Sequence, residues 1–559
     1  MSTATAPSPA AAAGTAPVPP AVPPRPFYVV LAYIFAALSV ALGAGLGQGF
    51  VMSNLPQMAG DLGVTTTEAS WLVVAYIVPR CCLPLMLVKL RSEIGLKRFT
   101  EIAVCAYVVF SFAGLWIADL RSAIVVEFLS GCAAAALTTI AFLYIMEPLS
   151  QGMKLVLGLP LCLTALTVGP SLARVLSPSL LGDGGFLEIH LLCLGLALAS
   201  MALIMVLPLT PAPKVKVIEK LDFVSFLLIS FGFTGIIICF VMGPIRWWTD
   251  APWIGLLLAA SIAALSATIV IELWRRSPLL DIRWIASPEM LHMSATLFLF
   301  RMLLSEQSAG APRMFQVLGV APSQMVTLFS VICLMSVVGF MACFAWMRPG
   351  RTGPLHLVAL ILIALGAYMD SHSTIDTRPH EMILSQGLIA VAGILFMAPA
   401  MMAGLLTALR RGPTYLLSFI IIFISTQSIG GMLGSGVFAS IINSRQAFHM
   451  AQLQEQMTQT NTALMQEMAL RMGALSAYLP DSASQKAQAL SQIATNATMQ
   501  SYVLAYNDAY FLTALVAVIA ACLLVLHLLR DWLASRLTPA ADAAGPMAAP
   551  QAQSPAKAS

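Results

Sequence analysis

The sequence predicts an all-α polytopic membrane protein with fourteen spanning helices, on three observations. Of its 559 residues, 59% are hydrophobic and only 10% are charged, whereas a soluble domain carries about 25% charge. The apolar residues are gathered into runs of the length a bilayer requires, about 20 residues each. Basic residues collect in alternate loops, the asymmetry that orients such runs. A mean hydropathy of +0.87 excludes a water-soluble globule of this size.

The expected spans lie near 28–52, 69–88, 99–118, 123–146, 155–178, 187–207, 223–243, 252–272, 289–307, 323–346, 355–370, 383–406, 415–442 and 507–529. The eleventh is short, and the ninth carries Arg301 and Glu306. Loops after even-numbered spans hold Lys89, Arg91, Lys97 and Arg98, then Lys154, then Lys214, Lys216 and Lys220. They continue with Arg275, Arg276 and Arg283, Arg348 and Arg351, Arg410 and Arg411, and Arg530 and Arg536. Odd-numbered loops carry far fewer, so both termini are expected in the cytoplasm.

Spans one to six and nine to fourteen then form two six-helix bundles, with two extra helices between them. The expected divisions are a disordered tail (1–26), a first half (27–207), a cytoplasmic connector (208–222), two extra helices (223–272), a second half (273–530) and a largely disordered tail (531–559). The second half includes a hydrophilic loop at 443–506. In it Met450, Leu453, Met457, Leu464, Met468 and Leu475 recur at helical spacing, followed by the Leu479-Pro480-Asp481 turn and a second helical stretch. That reads as a periplasmic helical hairpin, either a docking surface or a loop that packs only on its own chain. Trp247 and Trp248 read as interfacial anchors.

Several function classes drop out. A net charge of +4, scattered along the chain, does not suit a nucleic-acid binder. The ten cysteines lie almost wholly within apolar runs and form no metal-ligand pattern, so neither a disulfide framework nor a metal site is expected. The seven histidines are dispersed, against the clustered acid–base or metal ligands a membrane enzyme requires. No G-x-x-x-x-G-K-[ST] loop is present, which disfavours an ATP-driven pump. The expectation is a non-enzyme without a cofactor.

Charge inside the spans is the sharpest functional signal, since a mid-bilayer charge costs roughly 2.5–3.5 kcal/mol on insertion scales. Arg80, Glu127, Arg174, Arg301 and Glu306 are therefore the candidate proton-coupling and charge-pair residues. Glu127 is read either as a proton carrier or as half of a wet interfacial pair. Arg174, near the end of its span, either lines a pathway or snorkels. Arg301 and Glu306 are about 140° apart around a helix, so each meets a partner elsewhere or the span stops before Glu306. Glu188 and His190, which open the sixth span, read as interfacial.

Several segments resemble the major facilitator superfamily, specifically its fourteen-span drug:proton antiporter branch. Leu46 to Pro56, with Asn54-Leu55-Pro56, resembles the first-span signature of that branch, and Trp71 through Pro84 resembles its second-span segment. Leu90 to Arg98, containing Gly95, Lys97 and Arg98, resembles the superfamily loop between spans two and three. Gly169-Pro170-Ser171-Leu172-Ala173-Arg174 resembles the antiporter motif, and Ala505 to Asp508 resembles the approach to the last span. The resemblance implies two bundles rocking about a midplane cavity, with Gly169-Pro170 marking either a rocking contact or a simple packing kink. It further implies proton-coupled efflux of drug-like or toxic amphipathic compounds across a bacterial inner membrane. The implied partners are substrate, protons and lipid, with a periplasmic membrane-fusion protein and an outer-membrane channel as further candidates.

The departures are as informative. The family's first-span Asp falls at Gly47 and its fourth-span Arg at Glu127. The expected substitute is an ion pair between Arg80 and Glu127. The rival functions are a dedicated exporter of one substrate, such as a siderophore or an aromatic or organic acid, for which the arginines would suit an anion, and a polytopic membrane enzyme.

Overall fold

In a computed structural model the chain is described over residues 26–181, 185–211, 214, 216–275, 278–458 and 460–537. The tails expected to be disordered, and Arg276, fall outside or almost wholly outside these residues. The first half runs α1 (Phe27–Ser53), α2 (Leu55–Asp61), α3 (Thr66–Cys82), α4 (Pro84–Ile94), α5 (Leu96–Ala113), α6 (Leu120–Met146), α7 (Gln151–Met153), α8 (Leu159–Leu180) and α9 (Leu187–Val206). The two extra helices are α10 (Lys220–Arg246) and α11 (Pro252–Trp274). The second half runs α12 (Ile282–Ile285), α13 (Pro288–Leu303), α14 (Ala311–Val317), α15 (Val326–Trp346), α16 (Thr352–Asp370), α17 (Ile383–Arg411), α18 (Pro413–Gln456), α19 (Thr462–Leu475) and α20 (Ser482–Leu537).

Local sequence sets these boundaries. The Thr65 hydroxyl and Glu68 form a reciprocal capping box that opens α3, and Asp119 with Ser122 does the same for α6. Gly95 closes α4 at φ 95°, a left-handed geometry that favours glycine. Among the described residues, twelve helices are long and apolar enough to cross a membrane. The second and ninth expected spans are not single unbroken helices. The second is divided between α3 and α4. The ninth runs from α13 through a π-helical segment, Glu306–Gly310, into α14. The helical path thus continues past Glu306.

Apolar burial drives helices into a bilayer but gives little selectivity among them, so association relies on close approach of small residues. Ala36, Ala37, Val40, Ala41 and Ala44 make one face of α1 fully buried. Gly45 and Gly49 let α1 meet Gly169, Pro170 and Ala173 of α8; a Cβ on Gly169 would lie 2.5 Å from the Gly45 Cα. The same α8 packs on α15 of the second half. The Gly-Pro segment is therefore a tight packing site within the first half, on a helix that also contacts the second. The extra helix α10 bridges them along one side, resting on α3 and α18, and α11 packs against α10.

The 443–506 region is helical on both sides of the expected 479–481 turn, and its helices are continuous with spanning helices. Helix α18 runs on to Gln456 and α20 begins at Ser482, so two spanning helices simply extend outward, with α19 lying on α20. Trp248 also folds inward: its Nε1 donates to Ser440 Oγ at 2.8 Å and its ring packs on Phe240.

Candidate functional site

A cavity of about 250 Å³ lies where the halves meet, lined from α1, α3, α4, α6 and α8 on one side and α13, α15, α17 and α18 on the other. Its wall is largely apolar, with Met52, Phe142, Phe329, Met397, Phe423 and Met432 among the lining residues. Set into it are three of the arginines expected from sequence, Arg80, Arg174 and Arg301, each half-buried. Among the described residues, no carboxylate lines this cavity. Arg80 donates to the Gln48 Oε1 and to the Ala44 carbonyl oxygen at 3.4 Å. Arg174 donates to the Ser308 carbonyl oxygen at 3.4 Å and sits 5.0 Å over the Phe329 ring. Arg301 donates through Nε to the Gln427 carbonyl oxygen at 3.2 Å. These partners satisfy only a few of the five donors on each guanidinium.

The expected Arg80–Glu127 ion pair is absent, and the reason is register. Helices α3 and α6 run in the same direction, because the one antiparallel helix α5 joins them. They are locked where Gly131 faces the Tyr76 backbone; a Cβ there would collide with the Tyr76 carbonyl oxygen. Glu127 precedes Gly131 by one turn and Arg80 follows Tyr76 by one turn, so the two sit ~12 Å apart along the axes. Glu127 instead occupies a separate small pocket with Gly47, Tyr76, Tyr107, Ser130, His190 and Cys193, and is 5% exposed. Gly47 and Glu127 thus line one pocket. His190 belongs to this pocket and is not simply interfacial.

Arg301 and Glu306 part company as their spacing implies. Arg301 faces the cavity, while Glu306 turns away and is fully buried at 0% exposure. Its neighbour is Asp370 at the end of α16, which accepts from Ser385 Oγ and, at 2.6 Å, from Gln386 Nε2. Sequence reasoning does not single out Asp370 or Gln386, because Asp370 is the last residue of its span, where an acid is ordinary. An acid closing a span directly before a Ser-His-Ser turn was the available signal.

The loop between α4 and α5 is tied to the connector. Gly95 abuts Lys214 of the connector, Glu93 accepts from the Ile218 backbone at 3.3 Å, and the exposed Lys97 lies 3.9 Å from Glu101. Arg98 is exposed. Lys89 and Arg275, read as solvated loop charges, are instead buried in an ion network with Asp222 and Glu272. Among the described residues no group of His, Cys, Asp and Glu is arranged to hold a metal ion.

No family model matches the chain, and no curated protein matches it. Solved structures do. The chain resembles the peptide transporter POT in complex with sulfate at a TM-score of 0.54 and 12% identity, covering 90% of this chain and 97% of that one. It has the major facilitator superfamily fold. The human organic anion transporter MFSD10 (TETRAN) aligns at 0.52 and 12% identity, covering 88% of this chain and 100% of that one. The major facilitator proton:xylose symporter XylE, bound to 6-bromo-6-deoxy-D-glucose, aligns at 0.50 and 12%, covering 87% and 95%. Identities this low establish the major facilitator fold and leave the chain's own chemistry to its residues.

Proposed function

We propose that the chain is a secondary active transporter that exports amphipathic, drug-like or toxic organic compounds in exchange for protons. The observation that carries this reading is the cavity walled by both halves, apolar over most of its surface and placed where rocking of the bundles would expose it alternately. Its methionine and phenylalanine lining can repack around varied ligands. Buried carboxylates outside the cavity, Glu127 and Glu306, supply candidates for the exchanged proton. Alternating basic loops favour both termini in the cytoplasm, and the membrane of this reading is a bacterial inner membrane.

A second reading, export of one organic anion, is favoured by the three arginines facing a cavity without a carboxylate. The projection formed by α18, α19 and α20 is the candidate docking surface for a periplasmic membrane-fusion protein leading to an outer-membrane channel. It presents Phe448, Leu470, Tyr478 and Leu490 to solvent.

Export of paired fluorescent probes from proteoliposomes under an imposed pH gradient, one a cationic dye and one an anionic dye of similar size, tests both readings. Gradient-driven movement of the cationic or of both dyes supports broad amphipathic export. Movement of the anionic dye alone, lost in Arg301→Gln, selects the anion reading. No movement of either dye contradicts proton-coupled export of such compounds.

A further inference from the structure

The Glu306 side chain is wholly buried, and neither of its carboxylate oxygens has a hydrogen-bond donor. The polar group that faces it is a second acid, for the Asp370 carboxylate, 3% exposed, lies within hydrogen-bonding reach. Two carboxylates so placed are both acceptors, and nothing joins them unless a proton or another cation lies between. Asp370 is held in position by Ser385 and Gln386, so it is not free to turn away. The buried Oε1 of Gln386 also lacks a donor.

Among the described residues, no element packed around the pair supplies a countercharge. Helix α20 presents the phenols Tyr510 and, beyond it, Tyr506. Helix α18 brings Gly434 and Phe438 against the same segment, and α17 brings Ser385 and Gln386. Arg301 of α13 is directed to Gln427, and Arg313 of α14 is exposed. A hard divalent ion takes about six or more oxygen ligands, more than two carboxylates and one free amide oxygen provide. A single proton satisfies the geometry with no further ligand.

The pair is also wired to the cavity. Gln307, the residue after Glu306, lines the cavity and donates through Nε2 to the Gln386 carbonyl oxygen at 2.9 Å, while the Gln386 side chain grips Asp370. Ser308, the next residue, accepts from Arg174 of the opposite half. All three residues belong to the π-helical turn 306–310, an arrangement often found at functional sites.

We infer that Glu306 and Asp370 together bind one proton shared between their carboxylates, and that Gln386 and the 306–308 turn transmit its presence to the central cavity and to Arg174. With the proton bound, the two acids bond to each other. Without it, like charges repel within a packed interior and the turn carrying Gln307 and Ser308 must shift. What the coupling achieves rests on the transport reading, but the proton site itself does not.

Difference infrared spectroscopy on the purified full chain, across a pH titration in choline chloride and in sodium chloride, tests the site. The expected result is a protonated-acid C=O band persisting above the pH at which exposed carboxyls ionise. It should disappear in both Glu306→Gln and Asp370→Asn and be indifferent to sodium. Absence of that band, or its survival unchanged in both variants, overturns the inference. A band displaced by sodium and not by choline overturns the proton assignment in favour of a sodium ion. The same preparations, reconstituted, separate the two levels. A variant-sensitive band in a protein that moves no probe upholds the site and removes the transport reading. Transport without the band does the reverse.

Discussion

Two clusters of buried acids in this protein are treated in opposite ways. Near the connector, Asp222 and Glu272 are enclosed by cations. Asp222 accepts from Lys89 Nζ and Arg275 Nη2, each at 2.8 Å, and Glu272 accepts from Arg275 Nη1 at 2.9 Å and from the Leu280 backbone at 3.2 Å. The network ties α4 to both extra helices. In the second half, Glu306 and Asp370 are equally buried, and among the described residues neither is in an ion pair. Burial alone therefore does not distinguish a structural charge from a working one. Completeness of partnering does, because a satisfied network fixes one arrangement whereas an unsatisfied pair changes energy with every proton gained or lost.

Substitutions break this comparison in a definite order of stability loss. Asp222→Asn strands Lys89 and Arg275 and should cost roughly 3–5 kcal/mol, the penalty for breaking a buried pair from one side. A large drop in thermal unfolding temperature in detergent, with activity lost in proportion to folded protein, is the expected result. Gln48→Leu removes the side-chain acceptor of Arg80 and should cost about 1.5–3 kcal/mol, seen in the same assay with a parallel weakening of anionic-probe binding. Lys97→Ala deletes only an exposed pair and should change stability by less than ~1 kcal/mol. Glu306→Gln should cost nothing measurable, or raise the unfolding temperature, because the amide donates to Asp370 in place of the shared proton and removes a buried acid that no cation balances. Its effect belongs to coupling: probe exchange without a gradient should continue while gradient-driven accumulation stops. A loss of stability like that of Asp222→Asn would erase the distinction between the clusters.

The fold was legible because its signals are long-range in sequence and coarse in space. Twenty-residue apolar runs and alternating loop charge need no packing detail, and the fourteen expected segments correspond to helices or broken helices along the chain. The arginines were legible for the same reason, since a charge in an apolar run is conspicuous wherever it points. What stayed hidden depended on register. Arg80 and Glu127 each looked like the other's partner until Gly131 fixed how far α6 slides along α3. Asp370 lay at a span boundary, where acids are ordinary, and only the packing of α16 on α17, beside the buried 306–310 turn, made it a neighbour of Glu306. Lys89 and Arg275 counted correctly toward the loop-charge pattern, yet their burial follows from α10 and α11, whose placement the sequence does not reveal.

Proton-driven efflux from proteoliposomes, wild type beside Glu306→Gln and Glu127→Gln, tests the central claim most directly. Dye should leave wild-type vesicles only when a pH gradient is imposed. Glu306→Gln should abolish the gradient's effect while leaving downhill exchange, and Glu127→Gln should reduce it less. Efflux in wild type that ignores the gradient, or gradient-driven efflux of equal rate in all three proteins, would contradict the assignment of Glu306 and its neighbour as the coupling site.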